Sequence, residues 1–298
     1  MDSPSPGGTV RAVNVMSPRG ALPSPGRVPT VFARARGCGR APWAALGLQA
    51  FFLELVLAAT GGLIYFLVRG SVVDRVSEAT ARAESLMDLE RTLGLFWEPA
   101  MQRWILSSDA LIDLLNAVYF WGHMPVILAA AVLLYWRRRS VYAFTRNAFL
   151  ASAVIALAMY YALPVAPPRF FPDLGFVDTM ALYSKANYQA QEVGLFVNPY
   201  AALPSLHFGW ALLIAVAVWS ARPQKRAGAL LAGGFAVLLP VTQFFGVLLT
   251  GNHFILDLVA GAIAAAFGWA AAWWWQRRAA LASDRSDAVE PEETRSSL

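Results

Sequence analysis

The sequence predicts an all-α fold, a polytopic membrane bundle of six transmembrane helices with a further amphipathic helix lying at the membrane interface. Composition is the first reason. Of 298 residues, 57% are hydrophobic and only 14% charged, mean hydropathy is +0.48, and a soluble domain usually carries about 25% charge. Segmentation is the second. A helix needs about 20 apolar residues to cross roughly 30 Å of hydrocarbon. Six stretches qualify, at roughly 43–68, 110–135, 146–164, 201–220, 228–249 and 254–275. The third reason is where the basic residues fall between them.

Seventeen of the 24 Lys and Arg lie in the N-terminal tail, the second-to-third connection, the fourth-to-fifth connection and the C-terminal tail. Basic residues accumulate on the cytoplasmic side, so both termini are expected there. The segments 69–109, 164–200 and 250–253 are then expected outside. Residues 1–42, rich in Pro, Gly, Ser and Arg, read as a disordered cytoplasmic tail. Residues 43–276 form the membrane domain, and 277–298 read as a second disordered tail. The apolar run after the first tail, about 26 residues, is too long for the 7–15-residue core of a signal peptide.

The net charge of +5 does not point to nucleic acid, because the arginines punctuate apolar runs and do not cluster on one face. A single cysteine, Cys38, excludes a disulfide framework and a cysteine-rich metal site, and three histidines leave little for metal chemistry. Between the first two spans, Leu86, Leu89, Leu93, Trp97, Ala100 and Trp104 recur at helical spacing with Glu84, Asp88, Arg91, Glu98 and Arg103 between them. That pattern predicts one amphipathic helix. Packing on the outer ends of the bundle is the plainer account of it, and substrate contact the sharper one.

Two histidines stand at similar depth on the same expected side. His207 lies in Pro204-Ser205-Leu206-His207 where the fourth span begins, and His253 in Thr250-Gly251-Asn252-His253 where the sixth begins. Free N–H groups and the positive end of the dipole make helix N-termini natural anion sites, so two converging ones would suit a phosphate. Asp257 follows His253 by four residues and shares its helix face. A carboxylate there can fix one ring nitrogen and leave the other free to attack. An acidic residue just inside a span is expected to be functional. A polar pair that only pins two helices is the alternative. Arg169, in Ala166-Pro167-Pro168-Arg169 at the outer end of the third span, matches phosphate oxygens in a bidentate way. Alone it would read as a snorkelling anchor.

The order Arg169, Pro-Ser-Leu-His at 204–207, then His253 with Asp257 resembles the type 2 phosphatidic acid phosphatase superfamily. The Pro-Ser-Leu-His variant and the His-x-x-x-Asp block are similar to its inositol phosphorylceramide synthase and sphingomyelin synthase branch. The resemblance implies that His253 takes the phosphoryl group as a phosphohistidine and that Asp257 orients and charge-stabilises it. It implies that His207 protonates the leaving alkoxide, then activates water or an alcohol. Arg169 and Ser205, with backbone N–H groups and Asn252 beside them, would hold the phosphoryl oxygens. No metal or cofactor is required. The chain departs from the phosphatase pattern at Ala162, where a Lys is expected, at Leu206, where a Gly is expected, and at Gly246 and Val247 in place of a Ser-Arg pair. These departures favour the synthase-like branch.

The 37-residue outer loop 164–200 is aromatic-rich and reads as a lid for an acyl chain or as an interfacial belt. It holds Lys185, which could substitute for a missing cation, and Asn198 and Tyr200, which precede the histidine block. His123, mid-span, reads as a buried histidine bonded to a neighbouring helix, too deep to meet a phosphate. Glu54 has Arg146 as one possible partner; otherwise it faces a wet cavity or stays protonated. The small residues Ala260-Gly261-Ala262 to Ala266 would permit close helix packing.

The function expected is that of a lipid phosphate phosphatase or phosphotransferase in the membrane, the plasma membrane for preference, with its site facing outside. It leans toward inositolphosphotransferase-like headgroup transfer from a phospholipid or polyprenyl phosphate to an alcohol or lipid acceptor. The alternatives are a simple lipid or polyprenyl (pyro)phosphate phosphatase and, in a different class, a non-catalytic anion-binding protein or transporter.

Overall fold

Long apolar runs need their backbone polar groups satisfied within the segment, and helices do this. A computed structural model describes residues 43–72, 74–183 and 199–293, and among them every named element is helical. The order is α1 (Trp43–Val72), α2 (Val76–Leu93), α3 (Glu98–Ile105), α4 (Asp109–Trp121), α5 (Met124–Arg137), α6 (Arg139–Ala162), α7 (Thr179–Tyr183), α8 (Leu206–Ser220), α9 (Arg226–Leu249) and α10 (Ile255–Glu293). Residues 1–42, Lys185 and Asn198 lie outside the described residues.

Among the described residues four helices are long and apolar enough to cross a membrane: α1, α6, α9 and α10. The expected second span is instead α4 and α5, bent by 44° at a break, and counting that pair as one span makes five. The expected fourth span, 201–220, is helical only from Leu206. Its 15 residues fall short of a full crossing because the chain before it is extended, with Ala201 bridged to Val165. The third span starts at Arg139, seven residues earlier than expected. The last helix runs on to Glu293, into the segment read as a disordered tail.

The single amphipathic helix expected over 69–109 is two helices, because Gly94 takes a left-handed conformation (φ 69°) and caps α2. The stripe facing the bundle also differs. Ala79, Ala83, Met87 and Glu90 are buried, whereas Leu89, Leu93, Trp97 and Trp104 are exposed. Small residues on the inward stripe let α2 lie close over one end of the bundle. There Ala79, Ala83 and Met87 meet Val165, Ala166, Phe176, Tyr200, Ala202 and Phe254 in one apolar cluster. Removing a side chain of Phe or Met size from water is worth roughly 1.5–3 kcal/mol. The Ala166 amide donates to the Ala79 carbonyl (3.1 Å), joining α2 to the chain after α6. Arg82 donates to the Ala162 carbonyl (2.6 Å), and Arg75 to that of Tyr161, covering carbonyls at the C-terminus of α6.

Toward the other end of α6, Glu54 ion-pairs with Arg146, the partner that the sequence allowed, and the Tyr142 hydroxyl donates to the second Glu54 oxygen (3.0 Å). The three line a cavity of about 200 Å³.

Helices α8 and α10 approach backbone to backbone. A Cβ on Gly261 would run into the Ser205 carbonyl, and one on Gly209 into the Gly261 carbonyl. Gly261→Ala should therefore destabilise the protein by roughly 1–3 kcal/mol, seen as a lower unfolding midpoint in detergent. Gly234→Ala on α9, where a Cβ meets nothing within 4 Å, should leave the midpoint unchanged.

Candidate active site

Backbone hydrogen bonds draw three distant segments together. The Ser205 amide donates to the Asp257 carbonyl (2.9 Å), and the Arg169 amide to the Gly251 carbonyl (2.9 Å). Gly251 has φ +71°, a backbone region that other residues rarely adopt, and a Cβ there would press on the Gln102 side chain at 3.0 Å. Gln102, fully buried on α3, locks this turn. Its amide donates to Val177 (2.8 Å) and Leu249 (3.2 Å) carbonyls, and its carbonyl accepts from the Val177 amide (2.9 Å).

His253 is buried, with Nδ1 2.9 Å from the Ala202 carbonyl and 3.4 Å from Asp257 Oδ2. A carbonyl only accepts, so the ring proton is assigned to Nδ1 and the lone pair to Nε2. Asp257 stands beside this nitrogen as expected, but Ala202 makes the shorter contact. Asp257 Oδ2 also accepts from the Phe254 amide (2.8 Å), so the carboxylate caps its own helix while facing the histidine. The His207 ring lies 5.9 Å from that of His253, centroid to centroid, at 56°. Two imidazoles, one with a free nitrogen fixed by its neighbours, can serve as nucleophile and proton carrier.

The start of α10 is not the open anion site that the sequence suggested. Its amides are already taken: Phe254 by Asp257, Ile255 by Glu98 Oε1 (2.8 Å) and Leu256 by Glu90 Oε1 (2.7 Å). The Asn252 and His253 amides both donate to the Val247 carbonyl. Glu90 and Glu98 are fully buried and come from α2 and α3. Their Oε2 atoms have no donor, and the two carboxyls are near enough to hydrogen-bond each other, which requires a proton on one. Burial pushes Glu90 up to about 9, with Glu98 and Asp257 adding to the effect, and burial raises Glu98 too, partly offset by the Ile255 amide and by Glu90.

Arg169 Nη1 donates to Asn252 Oδ1, and its Nε lies 3.6 Å from Asp178 Oδ2. Asn252 Nδ2 in turn donates to Thr250 Oγ1 (2.7 Å). Asn252 thus links Arg169 to Thr250. Ser205 is fully buried at the start of α8, and its hydroxyl has no hydrogen-bond partner. Tyr200 packs in the apolar cluster under α2, with its carbonyl accepting from Val165 (3.0 Å). Among the described residues no group of His, Cys, Asp and Glu is arranged to hold a metal ion.

The PAP2 superfamily model matches residues 84–271, a stretch that holds every residue of this cluster. The chain belongs to the PAP2 superfamily. No curated protein and no solved structure matches it. Membership points to a phosphatase or phosphotransferase, and together with its apolar helices marks a membrane protein. Within that family frame, sequence reasoning missed Ala202, Glu90, Gln102 and the position of His123. The only signal for Glu90 was that it shares one stripe of α2 with Ala79, Ala83 and Met87.

Glu90 gains a proton more readily folded than unfolded, so its stabilising contribution is whole below about pH 4.5 and is lost as pH rises toward 9. Glu90→Gln keeps an acceptor for Leu256 and cannot ionise. Its unfolding midpoint should fall less than that of the unsubstituted protein between pH 6 and 9.

Proposed function

We propose that this chain is an integral-membrane lipid phosphate phosphatase or phosphotransferase working through a phosphohistidine on His253. The observation that carries this is the Ala202 carbonyl on His253 Nδ1, which leaves Nε2 as the nucleophile. In the first step Nε2 attacks phosphorus while the bond from phosphorus to the leaving oxygen breaks, and His207 gives that oxygen its proton. In the second, water or an alcohol attacks phosphorus and passes its proton to His207. The P–N bond breaks and His253 is restored. Asp257 balances the positive charge that develops on the His253 ring. Arg169, oriented by Asn252 and Asp178, and the unpartnered Ser205 hydroxyl hold the phosphoryl oxygens. The chemistry calls on no metal.

The partition of Lys and Arg supports six crossings with both termini cytoplasmic and the site at the outer face of the membrane, which the proposal takes to be the plasma membrane. The substrate is then a phospholipid or polyprenyl phosphate with its headgroup at the outer leaflet. Leu206, Ala162, Gly246 and Val247 favour inositolphosphotransferase-like headgroup transfer to an alcohol or lipid acceptor. Simple phosphate release is the second reading, favoured by the family as a whole.

The test follows phosphorus from labelled phosphatidylinositol and labelled polyprenyl phosphate, with EDTA present and diacylglycerol or ceramide as acceptor. Label on the acceptor establishes the transferase, and free phosphate the phosphatase. Either activity should fall by about 10³-fold or more in His253→Ala. Substantial turnover in that variant, or turnover abolished by EDTA, would contradict the mechanism.

A further inference from the structure

The chain has three histidines, and the structure gathers all three. Two are used by the reaction proposed above. The third, His123, is buried, and its ring centroid lies 4.1 Å from that of His207, closer than His253 at 5.9 Å. Its other neighbour is Trp210, one helical turn after His207 on α8, at 5.9 Å and nearly parallel (12°). Tyr119, from the same bent pair of helices as His123, stacks on His207 at 4.7 Å and 16°. His123 is buried against a neighbouring helix, and the break between α4 and α5 lays its ring on that of His207.

That break has a cost. Interrupting a helix in an apolar surround frees backbone groups that need other partners. The Val118 carbonyl keeps its helical bond from the Gly122 amide (2.9 Å) and takes a second contact at the break from Gln243 Nε2 of α9 (3.4 Å), and Gln243 is itself buried. Pro125 sits in the first turn of α5, where the missing N–H does no harm. A buried amide and a proline thus maintain an irregularity whose result is a ring from α4–α5 laid against His207.

We infer that His123 is a positioning residue for His207, an inference that rests on the proposed phosphoryl-transfer reading. His207 has to present one nitrogen first to the leaving oxygen and then to the attacking one. A free imidazole turns about two side-chain torsions, and a misplacement of about 1 Å can cost 10²-fold in rate. Rings at 4.1 Å and 4.7 Å remove that freedom. They also set aromatic faces beside the imidazolium that His207 becomes after taking a proton. His123 acts through His207 and does not touch the lipid.

The test compares His123→Ala, His123→Phe and His123→Asn in the full chain. His123→Ala is expected to lower kcat about 10- to 100-fold with KM within about twofold, slowing both formation and breakdown of the labelled enzyme. His123→Phe, which keeps a ring and no ring nitrogen, is expected to recover most of the loss, and His123→Asn little of it. Unchanged kcat in His123→Ala, or recovery by Asn and not by Phe, overturns the inference. If the Ala variant does not fold, the Phe and Asn pair decides alone. A second readout needs no substrate. With three histidines, ¹⁵N-imidazole spectra contain three ring systems, and His207→Gln identifies that of His207. Its signals should shift in His123→Ala, and their staying in place overturns the inference. If the unsubstituted protein turns over neither lipid while these signals do shift, the proposed function fails and the placement of His123 stands.

Discussion

The approach of α8 to α10 at Gly209 and Gly261 is the constraint on which the site depends. With no Cβ on either residue, the Ser205 amide can reach the Asp257 carbonyl, and this bond ties the start of one helix to the first turn of the other. The extended chain before Ser205 then lies beside His253, so that the Ala202 carbonyl can select which ring nitrogen holds the proton. A side chain at either glycine would press the backbones of α8 and α10 apart, and each of these helices begins beside one of the two histidines. The chemistry is therefore set by backbone, through small residues that would otherwise look like ordinary membrane-helix packing.

A second constraint is electrostatic. The positive end of the α10 dipole and its first-turn amides are spent within the protein, on Asp257, Glu98 and Glu90. In the proposed reaction a substrate phosphate would then be held by side chains, with Arg169 and the Ser205 hydroxyl as the groups in place. The carboxyls of α2 and α3 serve as helix caps supplied from elsewhere in the chain, and this explains why two fully buried acids occur on segments that cover the bundle end. A proton shared between Glu90 and Glu98 leaves the pair with one negative charge in place of two, which lowers the cost of burying them.

Much of the site could be read from sequence because its residues are local to motifs. Arg169, Ser205, His207, His253 and Asp257 come together, and the small residues around Gly261 do permit close packing. What could not be read is non-local. Glu90 caps an amide 166 positions later, and no periodicity encodes that. Two stripes of α2 and α3 are apolar, and the one that packs on the bundle is that of Ala79, Ala83 and Met87, while Leu89, Leu93, Trp97 and Trp104 stay exposed. The break before His123 was hidden because Gly122 and Pro125 sit in an otherwise continuous apolar run. Its stabilising partner, Gln243, lies on a different helix.

The most direct measurement is the position of phosphorus on the protein. Stopping the reaction under alkaline conditions preserves phosphohistidine, and fragmentation with ³¹P spectroscopy distinguishes the two ring nitrogens. The account predicts phosphate on Nε2 of His253, because Nδ1 is committed to the Ala202 carbonyl. Phosphate on Nδ1, on His207 or on any other residue during active turnover, or turnover with no phosphorylated protein at all, would contradict it.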